Sequence, residues 1–161
     1  MRSGVLFVLG LIVGIVATQP GAAQVDSNTG LNHVAFSVDD FDAALDFYTE
    51  TMGFREVGPI RNDDGEVLFT YVQVNRDTFI ELFPPSPAGG TGFTHIGLSV
   101  DDLDGAIAEL RASGVEVGDP ITGRTRAYLA NATGPDGVRI ELLELSPGSI
   151  QREAVDSWPG R

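Results

Sequence analysis

The chain has 161 residues, with ten arginines and no lysine against 23 acidic residues, no cysteine and a formal charge of −13. That length allows one ordinary domain or two small halves sharing a core, and 42% hydrophobic residues exclude global disorder. The composition also excludes disulfides, thiolate chemistry and a Schiff-base or P-loop lysine, and it disfavours nucleic acid and anionic membrane surfaces as partners.

In chain order, Arg2 precedes an apolar run from Val5 to Ala17. The run is shorter than the roughly 20 residues needed to span a bilayer. Pro20-Gly-Ala-Ala23 then offers small residues suited to signal-peptidase cleavage. Residues 1–23 therefore read as a signal peptide, with export to the periplasm or medium and no membrane contact once it is removed. An uncleaved N-terminal anchor is the alternative. Residues 24–30 read as a flexible lead-in.

The folded part, 31–146, is an internal duplication. His33-Val-Ala-Phe-Ser-Val-Asp-Asp-Phe-Asp aligns without gaps to His95-Ile-Gly-Leu-Ser-Val-Asp-Asp-Leu-Asp, and Phe79-Ile-Glu-Leu to Arg139-Ile-Glu-Leu. Module one covers 31–84 and module two 92–146. Each is too small to be comfortable alone, so the two are expected to share one core.

Each module opens on a short apolar strand, Leu31 to Val38 or Phe93 to Val100. Asp39-Asp40 and Asp101-Asp102 supply N-cap oxygens for the helices that follow. Phe41, Ala44, Leu45 and Tyr48, and likewise Leu103, Ala106, Ile107 and Leu110, repeat at helical spacing, with Gly53 and Gly114 as stops. Module one continues with strands at 54–60, 66–74 and 78–83, and module two at 115–117, 126–131 and 138–145. The result is βαβββ, twice. Residues 84–90 form a Pro/Gly linker. The tail, 147–161, carries a terminal helix with Ile150, Ala154, Val155 and Trp158 on one face, expected to dock on the sheet or on a partner subunit.

The chain's two histidines, His33 and His95, fall at equivalent points of the first strands, and Glu81 and Glu141 at equivalent points of the last. A carboxylate set between Ile and Leu on a strand needs a partner, or burial tends to neutralise it. Side chains alternate along strands, so Ile80 and Leu82 packing on a helix would turn Glu81 to the concave side. The same parity brings His33, His95 and Glu141 there, a set suited to one divalent cation per site. Ni, Zn, Mn, Mg and Fe all accept such mixed ligands.

These residues resemble the vicinal oxygen chelate superfamily, which includes glyoxalase I, methylmalonyl-CoA epimerase, extradiol dioxygenases and bleomycin-binding proteins. The similarity rests on His33-Val-Ala-Phe-Ser-Val, Phe79-Ile-Glu-Leu, Thr94-His-Ile-Gly-Leu-Ser-Val-Asp-Asp and Gly134-Pro-Asp-Gly-Val-Arg-Ile-Glu-Leu. It implies an α+β fold in which two paired βαβββ modules form a cupped, mostly antiparallel eight-stranded sheet around a metal. Ring-cleaving dioxygenases leave the first module's last strand without a ligand, so Glu81 implies the glyoxalase-like lyase/isomerase branch. There the metal stabilises an enediolate or enolate of a small oxygenated substrate. By the same resemblance Glu141 is the catalytic base and Glu81 its pseudo-symmetric partner.

Bacterial glyoxalases resemble one another in an arginine four residues after the first ligand and an asparagine four after the second, both serving glutathione. Ser37 and Pro85 stand at those positions here, which implies a substrate other than a glutathione adduct. Strand parity puts Ser37, Phe79, Phe83, Ser99 and Arg139 beside the ligands, with Phe69, Tyr71 and Tyr128 near. Arg139 suits either a carboxylate or enolate oxygen of the substrate or an ion pair with a nearby acid, while Arg124-Thr-Arg126 reads as offsetting the acidic surface. A homodimer is expected. The rival readings are an iron(II) ring-cleaving dioxygenase using His33, His95 and Glu141, and a non-catalytic small-molecule binder.

Overall fold

The computed structural model describes residues 28–85 and 90–160. The expected signal peptide, residues 24–27 of the lead-in and residues 86–89 of the linker lie outside the described residues. Within them one sheet is built from β1 (Asn28–Ser37), β2 (Arg55–Arg61), β3 (Val67–Gln73), β4 (Phe79–Phe83), β5 (Gly92–Val100), β6 (Ile121–Thr122), β7 (Tyr128–Thr133) and β8 (Arg139–Glu144). The helices are α1 (Phe41–Asp46), continued by a π turn over Phe47–Thr51, α2 (Leu103–Ala112) and α3 (Ile150–Asp156). The sheet order is β2-β3-β4-β1-β5-β8-β7-β6. β1/β4 and β5/β8 are parallel and the other pairs antiparallel. This is the α+β duplication expected: two βαβββ halves joined at the central β1/β5 seam and curled into a half-barrel. No helix among the described residues is long and apolar enough to cross a membrane.

Asp40 and Asp102 cap the first two helices, each side chain accepting an N–H three residues on, from Ala43 and Gly105. Gly53 and Gly114 follow in the left-handed region at φ of 71° and 83°, which ends helices readily. The two helices then diverge. α2 buries Leu103, Ala106 and Ile107 against Val100, Ala130, Ala132 and Leu142 on the convex side of the sheet. α1 buries no residue fully, and Phe47 and Met52 in and after its π turn are half exposed.

Three expected boundaries are corrected. β1 starts at Asn28, because the residues up to Gly30, assigned to the lead-in, pair with Val100 and Ser99. The strand expected at 115–117 is a single bridge from Val117 to Ala132, and the outer pairing passes to β6 beyond Pro120. Arg126, expected to begin a strand, lies at φ 65° in a turn closed by its N–H to Gly123 O at 2.9 Å.

On the concave side α3 covers one end of the cup. Ala154 and Val155 pack on Tyr71 and Phe79, and burying each large side chain stabilises the fold by about 1.5–3 kcal/mol. Arg55 and Gln73 fasten the helix by donating to Ala154 O at 3.0 and 3.3 Å. The opposite end is open. Ser37, Val67, Leu68, Phe83, Pro84, Pro85, Thr94 and Arg139 surround that mouth.

Candidate metal centre

The β1/β5 seam sets the site. Its register pairs His33 with Gly97 and Ala35 with His95, so each imidazole faces a small residue across the seam. β4 places Glu81 beside Ala35 and β8 places Glu141 beside Gly97. One ligand atom from each of His33, Glu81, His95 and Glu141 lies within 4.8 Å of the others, all four residues buried and all from one chain. The two Nε2 atoms are 3.0 Å apart. His95 Nε2 is 3.1 Å from both Glu81 Oε2 and Glu141 Oε2, and His33 Nε2 is 3.5 Å from both.

These spacings fit a cation. Donors held ~2.1 Å from a common centre stand ~3.0–3.5 Å apart at octahedral or tetrahedral angles. Glu81 Oε2 is fully shielded from solvent, with His95 Nε2 at 3.1 Å and His33 Nε2 at 3.5 Å as its polar neighbours, a crowded burial for a carboxylate that an ion would relieve. The surrounding shell orients the ligands. Asn32, itself buried, meets His33 Nδ1 through Oδ1 at 2.9 Å, which leaves Nε2 for coordination. Asn32 is in turn held by its amide donating to Ser99 Oγ at 3.2 Å. His95 Nδ1 meets Thr94 Oγ1 at 2.9 Å and the Arg139 guanidinium.

Burial pushes the Glu141 carboxyl up, but hydrogen bonds to His33 and His95, and then their charges, outweigh it and hold the group at about 2. For His95 burial works downward, yet the bonds to Glu141 and Glu81 raise it above its usual 6.5. Burial, then the charges of Glu81 and Glu141, push Tyr71 well above its usual range, so its hydroxyl stays protonated beside Glu81. For the metal-free protein this sets a pH dependence. The Glu141 contribution is complete above 4.5, its unfolded value, and is lost as pH falls towards 2; the amount is on the order of 3 kcal/mol. The His95 contribution is complete below 6.5 and is lost as pH rises through its raised value. Urea midpoints measured in EDTA should therefore peak between these limbs. A flat midpoint from pH 4.5 down to 2 would show that the imidazoles do not hold Glu141.

The substrate-facing residues divide. A cavity of ≈ 240 Å³ beside the cluster is lined by Phe69, Tyr71, Glu81, Phe83, His95, Arg124, Thr125, Leu129, Arg139 and Glu141. Arg139 and Tyr71 thus meet the ligands. Ser37 lies at the mouth, its hydroxyl donating to Pro84 O at 3.3 Å. Phe79 shares the concave face but is covered by α3. Ser99 points into a separate recess with Arg76, Glu144 and Arg152 and reaches the site through Asn32. Tyr128 is placed elsewhere. It pairs with Glu144, not Leu143, so it turns to the convex side and donates to Asp104 of α2 at 3.0 Å.

Three residues at or near the site were not singled out in the sequence, and a fourth, Arg124, was given only a surface reading. Asn32 adjoins a bulge that buries two successive residues. Gly97 is small where its module-one counterpart is Ala35. Arg124 comes from a loop that folds back over the cup. Gln151 begins an i, i+3, i+4, i+7 stripe with Ala154, Val155 and Trp158, a signal that could have found it. It is fully buried on α3, its amide without a hydrogen-bond partner among the described residues.

Comparison with known proteins agrees with this geometry. The model of the Glyoxalase/Bleomycin resistance protein/Dioxygenase superfamily matches residues 30–142. A probable lactoylglutathione lyase of Vibrio parahaemolyticus is 30% identical over 137 residues, covering 79% of this chain and 99% of that protein. A lactoylglutathione lyase of Escherichia coli is 31% identical over 124 residues, covering 71% and 91%. The crystal structure of methylmalonyl-CoA epimerase from Mycobacterium tuberculosis aligns with a TM-score of 0.66 at 26% identity, covering 79% of this chain and 95% of that one.

Proposed function

We propose, from the premise that this chain belongs to the glyoxalase/bleomycin resistance protein/dioxygenase superfamily, that it is a metal-dependent lyase or isomerase that moves a proton on a small oxygenated substrate. The observation that carries the reading is the buried pair of imidazoles and pair of carboxylates converging from one chain. A divalent cation (Ni, Zn, Mn, Mg or Fe) would be held by His33, Glu81, His95 and Glu141 and would supply Lewis-acid polarisation of the substrate oxygens.

The chain's own groups divide the remaining work. Tyr71 stands across β3/β4 from Glu81 and keeps its hydroxyl protonated beside it. Glu141 is the more accessible of the two acids, 9% exposed against 3% for Glu81, and is suited to take a proton from the carbon beside the polarised carbonyl and return it. Phe69, Phe83 and Leu129 wall the cavity and keep competing water from the reacting carbon. Ser37 and Pro85 stand at the mouth and give a glutathione carboxylate no cationic partner from those positions, which favours a substrate other than a glutathione adduct. Export of the mature chain and a homodimer belong to the proposal. The dimer would be dispensable for assembling the ligands.

The test is metal analysis of the purified protein, followed by NMR of carbon-bound proton exchange in D2O with 2-oxo acids, dicarbonyls and a methylmalonyl thioester. About one divalent ion per chain, with exchange abolished by chelator and restored by metal, is the expected result. Tight ligand binding indifferent to chelator would make the protein a non-catalytic binder. Oxygen uptake with a catechol, independent of Glu81, would make it a dioxygenase.

A further inference from the structure

We infer that the substrate carries a carboxylate, received in the cavity beside the ligand cluster by Arg139 and Arg124. This rests on the metal-dependent reading above and extends it from the reaction to the class of ligand.

Three observations support the assignment. First, both residues line the cavity beside Glu81, His95 and Glu141. Second, neither makes an ion pair with a carboxylate among the described residues, in a chain with 23 acidic side chains. Arg76, Arg111, Arg126 and Arg152 each pair with an Asp or Glu, and Arg55 and Arg61 donate to neutral oxygens away from the cavity. Third, a dication cancels Glu81 and Glu141, so the two guanidiniums leave the loaded cavity at +2 within a chain of −13. Clefts of one sign concentrate ligands of the other.

The Arg139 guanidinium meets His95 Nδ1, and a guanidinium carries five N–H donors, so the others are left for an incoming acid. A cavity of ≈ 240 Å³, below the span of about 300–1,000 Å³ usual for drug-sized ligands, fits the reacting end of a short oxo- or hydroxy-acid.

Two hydroxamates separate chelation from carboxylate recognition: acetohydroxamate, and malonomonohydroxamate, which adds one carboxylate to the same chelating head. Calorimetry on the zinc-loaded protein should show the carboxylated probe binding at least about tenfold more tightly, the size of one charge-assisted hydrogen bond. The ratio should fall to about one in R124Q/R139Q, and to an intermediate value in R139K, which keeps the charge but loses the planar fork. A ratio near one in the unmodified protein overturns the inference and leaves the metal reading standing. So does a preference that survives in R124Q/R139Q. Failure of both probes to bind overturns the metal reading and the carboxylate site with it.

Discussion

Replacing Glu141 by glutamine is expected to slow substrate proton exchange by about 10²–10⁴-fold, the usual worth of a positioned general base. The amide matches the carboxylate in size and keeps an oxygen for the cation, but it cannot accept and return a proton. The lesion should fall on turnover more than on apparent substrate affinity, because the chelating positions are untouched. Glu81→Gln should do less to turnover and more to metal retention, since Glu81 is the deeper of the two acids and stands across β3/β4 from Tyr71. Both variants would be compared at measured metal content by NMR in D2O. Full metal with unchanged exchange in E141Q would remove Glu141 from the proton path.

Gly97→Ala should cost metal affinity about 10–100-fold or more, the loss seen when the supports of a ligating histidine are removed. The reason is spatial. A Cβ at Gly97 would lie 2.1 Å from His33 Cε1, 2.3 Å from Nδ1 and 2.8 Å from Nε2. The imidazole would have to leave its place between Asn32 and His95, breaking the contacts that aim Nε2 inward. Its counterpart, Ala35, carries a Cβ opposite His95 without penalty, so the requirement is specific to one side of the seam. Competition with a chromophoric chelator measures the affinity. Affinity within twofold of the unmodified protein would show that His33 can coordinate from another rotamer.

The duplication made the ligands legible, because His33 and His95, and Glu81 and Glu141, recur in register and period-2 alternation assigns them one face. Alternation alone could not place Tyr128. Its face depends on whether it opposes Leu143 or Glu144 across β7/β8, and a shift of one residue reverses every side chain. Asn32 was hidden for a related reason: the bulge between Leu31 and His33 lets consecutive residues both turn inward. Arg124 reaches the cavity through the path of a loop, which no periodicity reports. α1 and α2 share a spacing yet differ in burial from their first turns onward, and only α1 runs on into a π turn. Paired modules are alike in pattern and unlike in the environment each meets.

The placement of α3 has a kinetic consequence. With Ala154 and Val155 covering the Phe79 end, reactant and product would share the mouth lined by Ser37, Phe83 and Arg139 among the described residues. A reactant must enter with its reactive end leading and any bulky tail trailing outward, and it must back out the same way after conversion. The next molecule waits until the doorway clears, so product would compete directly with reactant, and a longer tail would alter residence time more than the chemical step.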